Sequence, residues 1–310
     1  MLYAKEGQRD LPPFQTNPKL NDPTTYLPSD GLVDAVNAAL MLGQPLLLTG
    51  EPGTGKTQLA YHIAHYFKLS GGKPLVFNAQ TTSTATDLFY RYDTLAHFQY
   101  NQNNATPLSI DALERDYIQY QALGEAIRRA QLSGERVAVL IDEIDKAPRD
   151  LPNDLLAAIE KLRFSVPEIK KSFEVTSDKR PVIIITSNSE KNLPDAFLRR
   201  VVYYHIPFPD AETLLKILNK KFDNATEDAL TVAIAHFSEI RDSKVLRLKK
   251  NPATAELIYW VWFLLKNNFD LVKLYEINEL NSKEKNILRT SYSVLAKNKE
   301  DLELLRKLIL

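Results

Sequence analysis

The stretch LLLTGEPGTGKTQLA, positions 46 to 60, places Gly50, Gly55, Lys56 and Thr57 in the order G-x-x-x-x-G-K-T. Those residue types at that spacing are suited to holding a phosphate. Glycines at 50, 53 and 55 let the backbone take conformations barred to other residues, so successive N–H groups can turn inward on an anion. An apolar run precedes the loop and a helical pattern follows from Gln58, so the positive end of a helix faces the same point. Lys56 would then reach the β- and γ-phosphates, and the Thr57 hydroxyl would ligate a magnesium ion. The whole loop, Gly50, Glu51, Pro52, Gly53, Thr54, Gly55, Lys56, Thr57 and Gln58, is the candidate phosphate cradle.

Two further strands end in groups that such a cradle needs. RVAVLIDEIDK is apolar until Asp142 and Glu143, at the carboxyl edge where α/β sheets bind ligands. On an extended chain adjacent side chains point to opposite sides, so the two carboxylates can divide the work. Asp142 suits the magnesium's outer shell and Glu143 suits polarising a water. Asp145 and Lys146 can be read as no more than a surface ion pair. PVIIITSNSE ends its apolar run at Asn188, which could hold a water between Glu143 and a γ-phosphate if its strand lies beside the acidic one; asparagine also ends strands for ordinary turn reasons.

The elements that must position these groups read as a doubly wound α/β domain. DGLVDAVNAALMLGQ has helical spacing and stops at Gly43. After the strand ahead of the loop, KPLVFNA, RVAVLID, PVIIITSN and VVYYHIPF are nearly continuous apolar runs, the pattern of parallel strands buried on both faces. Helical stretches separate most of them. The expected organisation is an N-terminal arm over the surface (1–30), the α/β domain (31–209) and a smaller all-helical domain (210–310). The chain has 310 residues, 39 basic and 39 acidic, and no cysteine. Balanced charge leaves no global field to gather nucleic acid or coat a membrane. Lack of cysteine removes disulfides, thiolate metal sites and cysteine nucleophiles. The opening stretch lacks the apolar core of a signal peptide and no apolar run is long enough to span a bilayer, so a soluble, cytoplasmic protein is expected.

Taken in order, GEPGTGKT, VLIDEID, TSN and LPDAFLRR resemble the motifs of AAA+ ATPases. More narrowly, TTSTATDLFYRYD, DKAPRDLPNDLLAAIEKLRFSVPE and NPATAELIYW resemble the MoxR group and its dynein-related relatives, over roughly positions 31 to 265. The resemblance implies a P-loop NTPase sheet with a helical lid, ATP and Mg2+ as ligands, Lys56 and Thr57 in Walker A, Asp142 and Glu143 in Walker B, and Asn188 as sensor 1. It also implies an arginine finger acting on a neighbouring subunit's nucleotide, with Arg200 or Arg199 as the candidate; Val201 stands where an aromatic residue is expected, which leaves both open. For a basic sensor 2 residue, Lys250 is the candidate ahead of the lid helix. The polar-centred segment between Asp93 and Arg136, helical in its second half, and a β-hairpin over RFSVPEIKKSFEVTSDKR with Lys170 and Lys171 at its tip correspond to insert regions. By the same resemblance the protein forms a homo-oligomeric ring of hexameric type and remodels a protein client or loads a metal cofactor, with a partner carrying a von Willebrand factor A domain. The alternatives are a nucleotide-gated scaffold with incidental turnover and a DNA-directed motor; nucleic acid and membrane are not expected partners.

Overall fold

In a computed structural model, residues 10–11, 13, 17–104, 106–189 and 193–309 are described. Of the expected arm, positions 1–9, 12 and 14–16 lie outside them.

The strands in chain order are β1 (Leu46–Thr49), β2 (Leu75–Asn78), β3 (Tyr90–Tyr92), β4 (Ile118–Tyr120), β5 (Ala138–Asp142), β6 (Arg163–Val166), β7 (Lys171–Glu174), β8 (Val182–Thr186) and β9 (Val202–His205). Five of them form one parallel sheet in the order β2-β5-β8-β1-β9. The acidic strand and the asparagine strand are therefore neighbours, with Leu140 beside Ile184 and Ile141 beside Ile185. The three inner strands carry the continuous burial that their apolar runs predict: Leu47, Leu48, Val139, Leu140, Ile184 and Ile185 are fully buried. The outer two differ, for β2 and β9 alternate in burial and leave Val76 and Tyr203 exposed. An apolar run does not distinguish a central strand from an edge; only the sheet order does.

The helices are α1 (Asp30–Leu42), α2 (Lys56–Tyr66), α3 (Thr94–Asn103), α4 (Ile110–Tyr117), α5 (Ala122–Ser133), α6 (Leu151–Lys161), α7 (Asp195–Leu198), α8 (Ala211–Lys221), α9 (Glu227–Asp242), α10 (Thr254–Lys266), α11 (Ser282–Leu295) and α12 (Lys299–Lys307). Ser29 caps α1, and Gly43 ends it in the left-handed conformation that favours glycine. The segment after Asp93 is helical in its first half as well as its second, and β3 pairs antiparallel with β4 across it. The expected hairpin is present as β6 and β7, and Lys171 at its turn pairs with Glu114 of α4. From Ala211 onward the described residues hold helices and turns only, packed around Phe237, Trp260 and Tyr292. Much of the LIYWVWFLL run is in this core.

The described part of the arm does more than cover a surface. Asn17 and Asp22 cap two short 3-10 turns. The Lys221 ammonium, buried at the end of α8, donates to Lys19 O, Leu20 O and Thr25 Oγ1 at 3.0 to 3.1 Å. His62 of α2 bonds the Pro23 carbonyl at 2.9 Å. These contacts hold residues 17–29 across the junction between sheet and helical region.

Candidate active site

A cleft of about 710 Å3 opens at the carboxyl end of the sheet, under the helical region. Its lining runs from the arm (Leu20 to Ser29) through the glycine loop to Asp142, Glu143, Thr186 and Asn188, and on to Thr254 and Tyr259.

The loop leaves β1 at Gly50 (φ 142°) and passes Gly53 (φ 81°) and Gly55 (φ 92°). A Cβ at Gly50 would lie 2.6 Å from the Ile206 carbonyl oxygen, so both space and conformation require glycine there. Gly55 sits at the N-cap of α2 and no side chain among the described residues caps that end, an arrangement open to an anion at the helix N–H groups. Lys56 is only 7% exposed. Its Nζ folds back onto the loop and donates to Gly50 O at 2.8 Å and Glu51 O at 3.0 Å. Burial pushes this ammonium below the usual lysine range, opposed by Asp145, Asp142, Glu143 and Glu51. A cation held by neutral carbonyls beside that helix end is poised to exchange them for a phosphate.

Thr57 Oγ1 donates to Asp142 Oδ1 at 3.1 Å and lies 3.3 Å from Oδ2. Hydroxyl and carboxylate converge as hard oxygen donors, the set that magnesium takes together with water and phosphate oxygens. Thr186, the last residue of β8, links the acidic pair: its hydroxyl donates to Asp142 Oδ1 at 2.5 Å and accepts from the Glu143 N–H at 2.9 Å. The sequence reading missed this residue; its signal is a threonine closing an isoleucine run beside the acidic strand.

Glu143 is not on an extended chain. Strand β5 ends at Asp142, and Glu143 turns left-handed at φ 56° and ψ 49°. Divergence of the two carboxylates therefore comes from a backbone kink and not from strand alternation. The Glu143 carboxylate is half-exposed and pairs with Lys146 Nζ at 2.5 Å. Asp145 is more than a surface charge, for its Oδ1 accepts from the Asn188 N–H at 3.1 Å and fixes the turn after β8. Asn188 lines the cleft, as Glu143 does.

The remaining candidates lie elsewhere. Arg199 and Arg200 follow α7 on the surface and do not line this cleft, and Arg200 Nε is 3.4 Å from Glu160 Oε1. Lys250 is also absent from the lining; its backbone N–H donates to Asp301 Oδ2 at 3.1 Å in the turn ahead of α10. The helical region instead reaches the loop through Arg241, which the sequence did not single out. Its guanidinium donates to Glu51 Oε2 at 2.7 Å and Pro252 O at 2.5 Å, and lies 3.7 Å from the centre of the Phe208 ring.

Residues 45–201, from the start of β1 through α7, match the family described as the AAA domain of the dynein-related subfamily. Two solved structures, both variants of Thermotoga maritima RuvB, align with TM-scores of 0.43 and 0.44 at 17% and 16% identity; each alignment covers 85% of this chain and 74% of the other.

Proposed function

The chain belongs to the dynein-related AAA family of P-loop NTPases, and from that premise we propose that it is a Mg2+-dependent ATP hydrolase of MoxR-like type, acting in an oligomeric ring to remodel or activate a protein partner. The observation that carries this reading is one cleft containing the glycine loop, the contact of Thr57 with Asp142, Asn188 and Glu143.

In this reading the loop N–H groups and the start of α2 bind the phosphate chain, and Lys56 leaves its two carbonyls for the β- and γ-phosphates. Thr57 and Asp142 would hold a magnesium ion, which would there supply charge neutralisation for the phosphate oxygens. Asn188 positions the attacking water. Glu143 takes its proton once the carboxylate is released from Lys146. Apolar groups of Tyr26, Leu27, Ile206, Phe208 and Ile258 surround the rest of the cleft and fit a flat base.

Placement of Arg199 and Arg200 on the surface, away from their own chain's cleft, supports a finger that serves a neighbouring subunit. That arrangement suits the oligomeric ring of this reading. The client and a von Willebrand factor A partner rest on the resemblance to MoxR proteins. A scaffold with incidental turnover is disfavoured by the presence of Glu143, and a DNA-directed motor by 39 basic residues matched by 39 acidic ones. No described helix is long and apolar enough to cross a membrane.

Titration of ATP into Lys56→Ala tests the reading. A charge-assisted bond to phosphate is worth about 1.5–3 kcal/mol, so affinity should fall at least about tenfold. An unchanged affinity in a folded variant removes the phosphate loop from the account.

A further inference from the structure

One buried polar group in the cleft is without a partner. Thr254 is the first residue of α10, lines the cleft and is only 7% exposed. Its hydroxyl has no hydrogen-bond partner among the described residues. A buried hydroxyl left unmet carries a desolvation cost that valine, of nearly the same shape, would avoid.

The surroundings of Thr254 point to an anion. The first turn of α10 rests on the rim of the glycine loop: Ala255 N–H donates to Gly53 O at 3.2 Å, and a Cβ at Gly53 would lie 3.2 Å from the Cβ atoms of both Ala253 and Ala255. The thirteen-residue α10 thus brings its positive end to the phosphate cradle, with an alanine at its N-cap; Glu256 in the same turn accepts from the Ala253 N–H at 3.0 Å, would lie 3.3 Å from a Cβ at Gly53, and has its charge offset by Lys297 at 3.1 Å. Among the described cations of the helical region, Arg241 reaches the loop but is held by Glu51 and Pro252 O and does not line the cleft. Lys250 is outside the lining, and Lys221 is committed to three acceptors in the arm.

We infer that Thr254 is a nucleotide ligand, its hydroxyl donating to a phosphate oxygen of a nucleoside di- or triphosphate held in the loop. The start of α10 adds its dipole to that contact. The helical region then registers the phosphate chain through a neutral hydroxyl and a helix end instead of a basic side chain. This inference rests on the nucleotide reading of the cleft.

The test compares Thr254→Val and Thr254→Ser with the parent by calorimetric titration of ADP and a non-hydrolysable ATP analogue, together with thermal unfolding in the absence of nucleotide. Thr254→Val should melt at or above the parent temperature, because it removes an unmet hydroxyl, and should bind both nucleotides at least about tenfold more weakly. Thr254→Ser should stay within about twofold of the parent, and competition by adenosine should be unaffected by either change. Parent-like nucleotide binding by Thr254→Val overturns the inference alone. So does a several-degree loss of nucleotide-free stability in that variant, which would make the hydroxyl part of the fold. An equal loss for adenosine would move the hydroxyl to the sugar or base and overturn the phosphate contact. If the parent itself binds no nucleotide, the reading of the cleft falls with it.

Discussion

Glu143 combines the proposed general base with a backbone conformation that L-residues avoid, at φ 56°. The perturbation that separates the two properties is a pair of variants, Glu143→Gly and Glu143→Ala. Both lose the carboxylate and its half-exposed pairing with Lys146, which is worth about 0–1 kcal/mol. They differ in backbone. A left-handed residue bearing a Cβ costs about 1–2 kcal/mol, while glycine gives up about 0.5–1 kcal/mol of unfolded-chain entropy relative to alanine. Glycine should therefore be the more stable variant by about 0.5–1 kcal/mol, the reverse of the order in a regular helix or strand. Urea unfolding with a common slope reads that difference as a shift of midpoint. Both variants should lose ATP turnover by about a hundredfold or more while still binding nucleotide, and Glu143→Gln should match them in turnover without a change in stability. An alanine variant more stable than the glycine variant would mean that the chain does not kink at Glu143, and would refute the geometry assigned to its carboxylate. Turnover near the parent rate in Glu143→Gln would place the general base elsewhere.

Arg200→Ala should bind ATP as the parent does and lose turnover, and mixing it with Lys56→Ala should restore part of the activity, since a mixed ring pairs an intact loop with a neighbour's intact finger. Mixed oligomers that stay inactive count against a finger in trans at this position, and rescue confined to Arg199→Ala assigns the role to that residue. His236 sits buried between Trp260 and Tyr292, bonds the Tyr292 hydroxyl at 2.9 Å, and is pushed down by burial to about 4. Its folded value is depressed below the unfolded one, so the unfolded chain binds the proton first and stability falls as pH drops from about 6.5 to 4, by up to about 3 kcal/mol. In His236→Phe that slope should flatten relative to the parent; identical pH profiles of unfolding would refute a buried neutral imidazole.

The strand, glycine loop and helix around Lys56 were legible because they are encoded in contiguous residues. Gly50, Gly55, Lys56 and Thr57 need only their spacing, a strand before and a helix after. Asp142 and Asn188 were legible one step further, since each closes an apolar run; what brought them together was the pairing of β5 with β8, which no local pattern states. The kink at Glu143 was hidden for a different reason. Glutamate has no preference for the left-handed region, and the turn is held from outside, by the bond from its N–H to Thr186 Oγ1 on the adjacent strand. Lys250 was singled out because basic residues cluster ahead of α10, and sequence proximity to a helix start does not say which side of the turn faces the cleft, whose lining does not include it. Its backbone N–H instead binds Asp301, fifty-one positions away.

Arg241 shows most clearly what long-range packing adds to a local motif. In sequence it is one more cation near the end of an amphipathic helix, indistinguishable from those that complement a helix dipole. In the fold its side chain is 7% exposed while that of Glu51 is 52% exposed. Burying a guanidinium costs several kcal/mol, and an exposed partner alone returns about 1 kcal/mol or less. The remainder must come from the Pro252 carbonyl and from the face of Phe208, which meet the cation where water cannot. Of these three partners, Glu51 on the glycine loop and Phe208 in the link between β9 and α8 lie outside the helical region, whereas Pro252, in the turn before α10, lies within it. Rotation of the helical region against the sheet would part this cation from Glu51 and carry the Pro252 carbonyl along with it. The position of the helical region and the conformation of the glycine loop are thus tied together at Glu51, whose own carbonyl also accepts from Lys56.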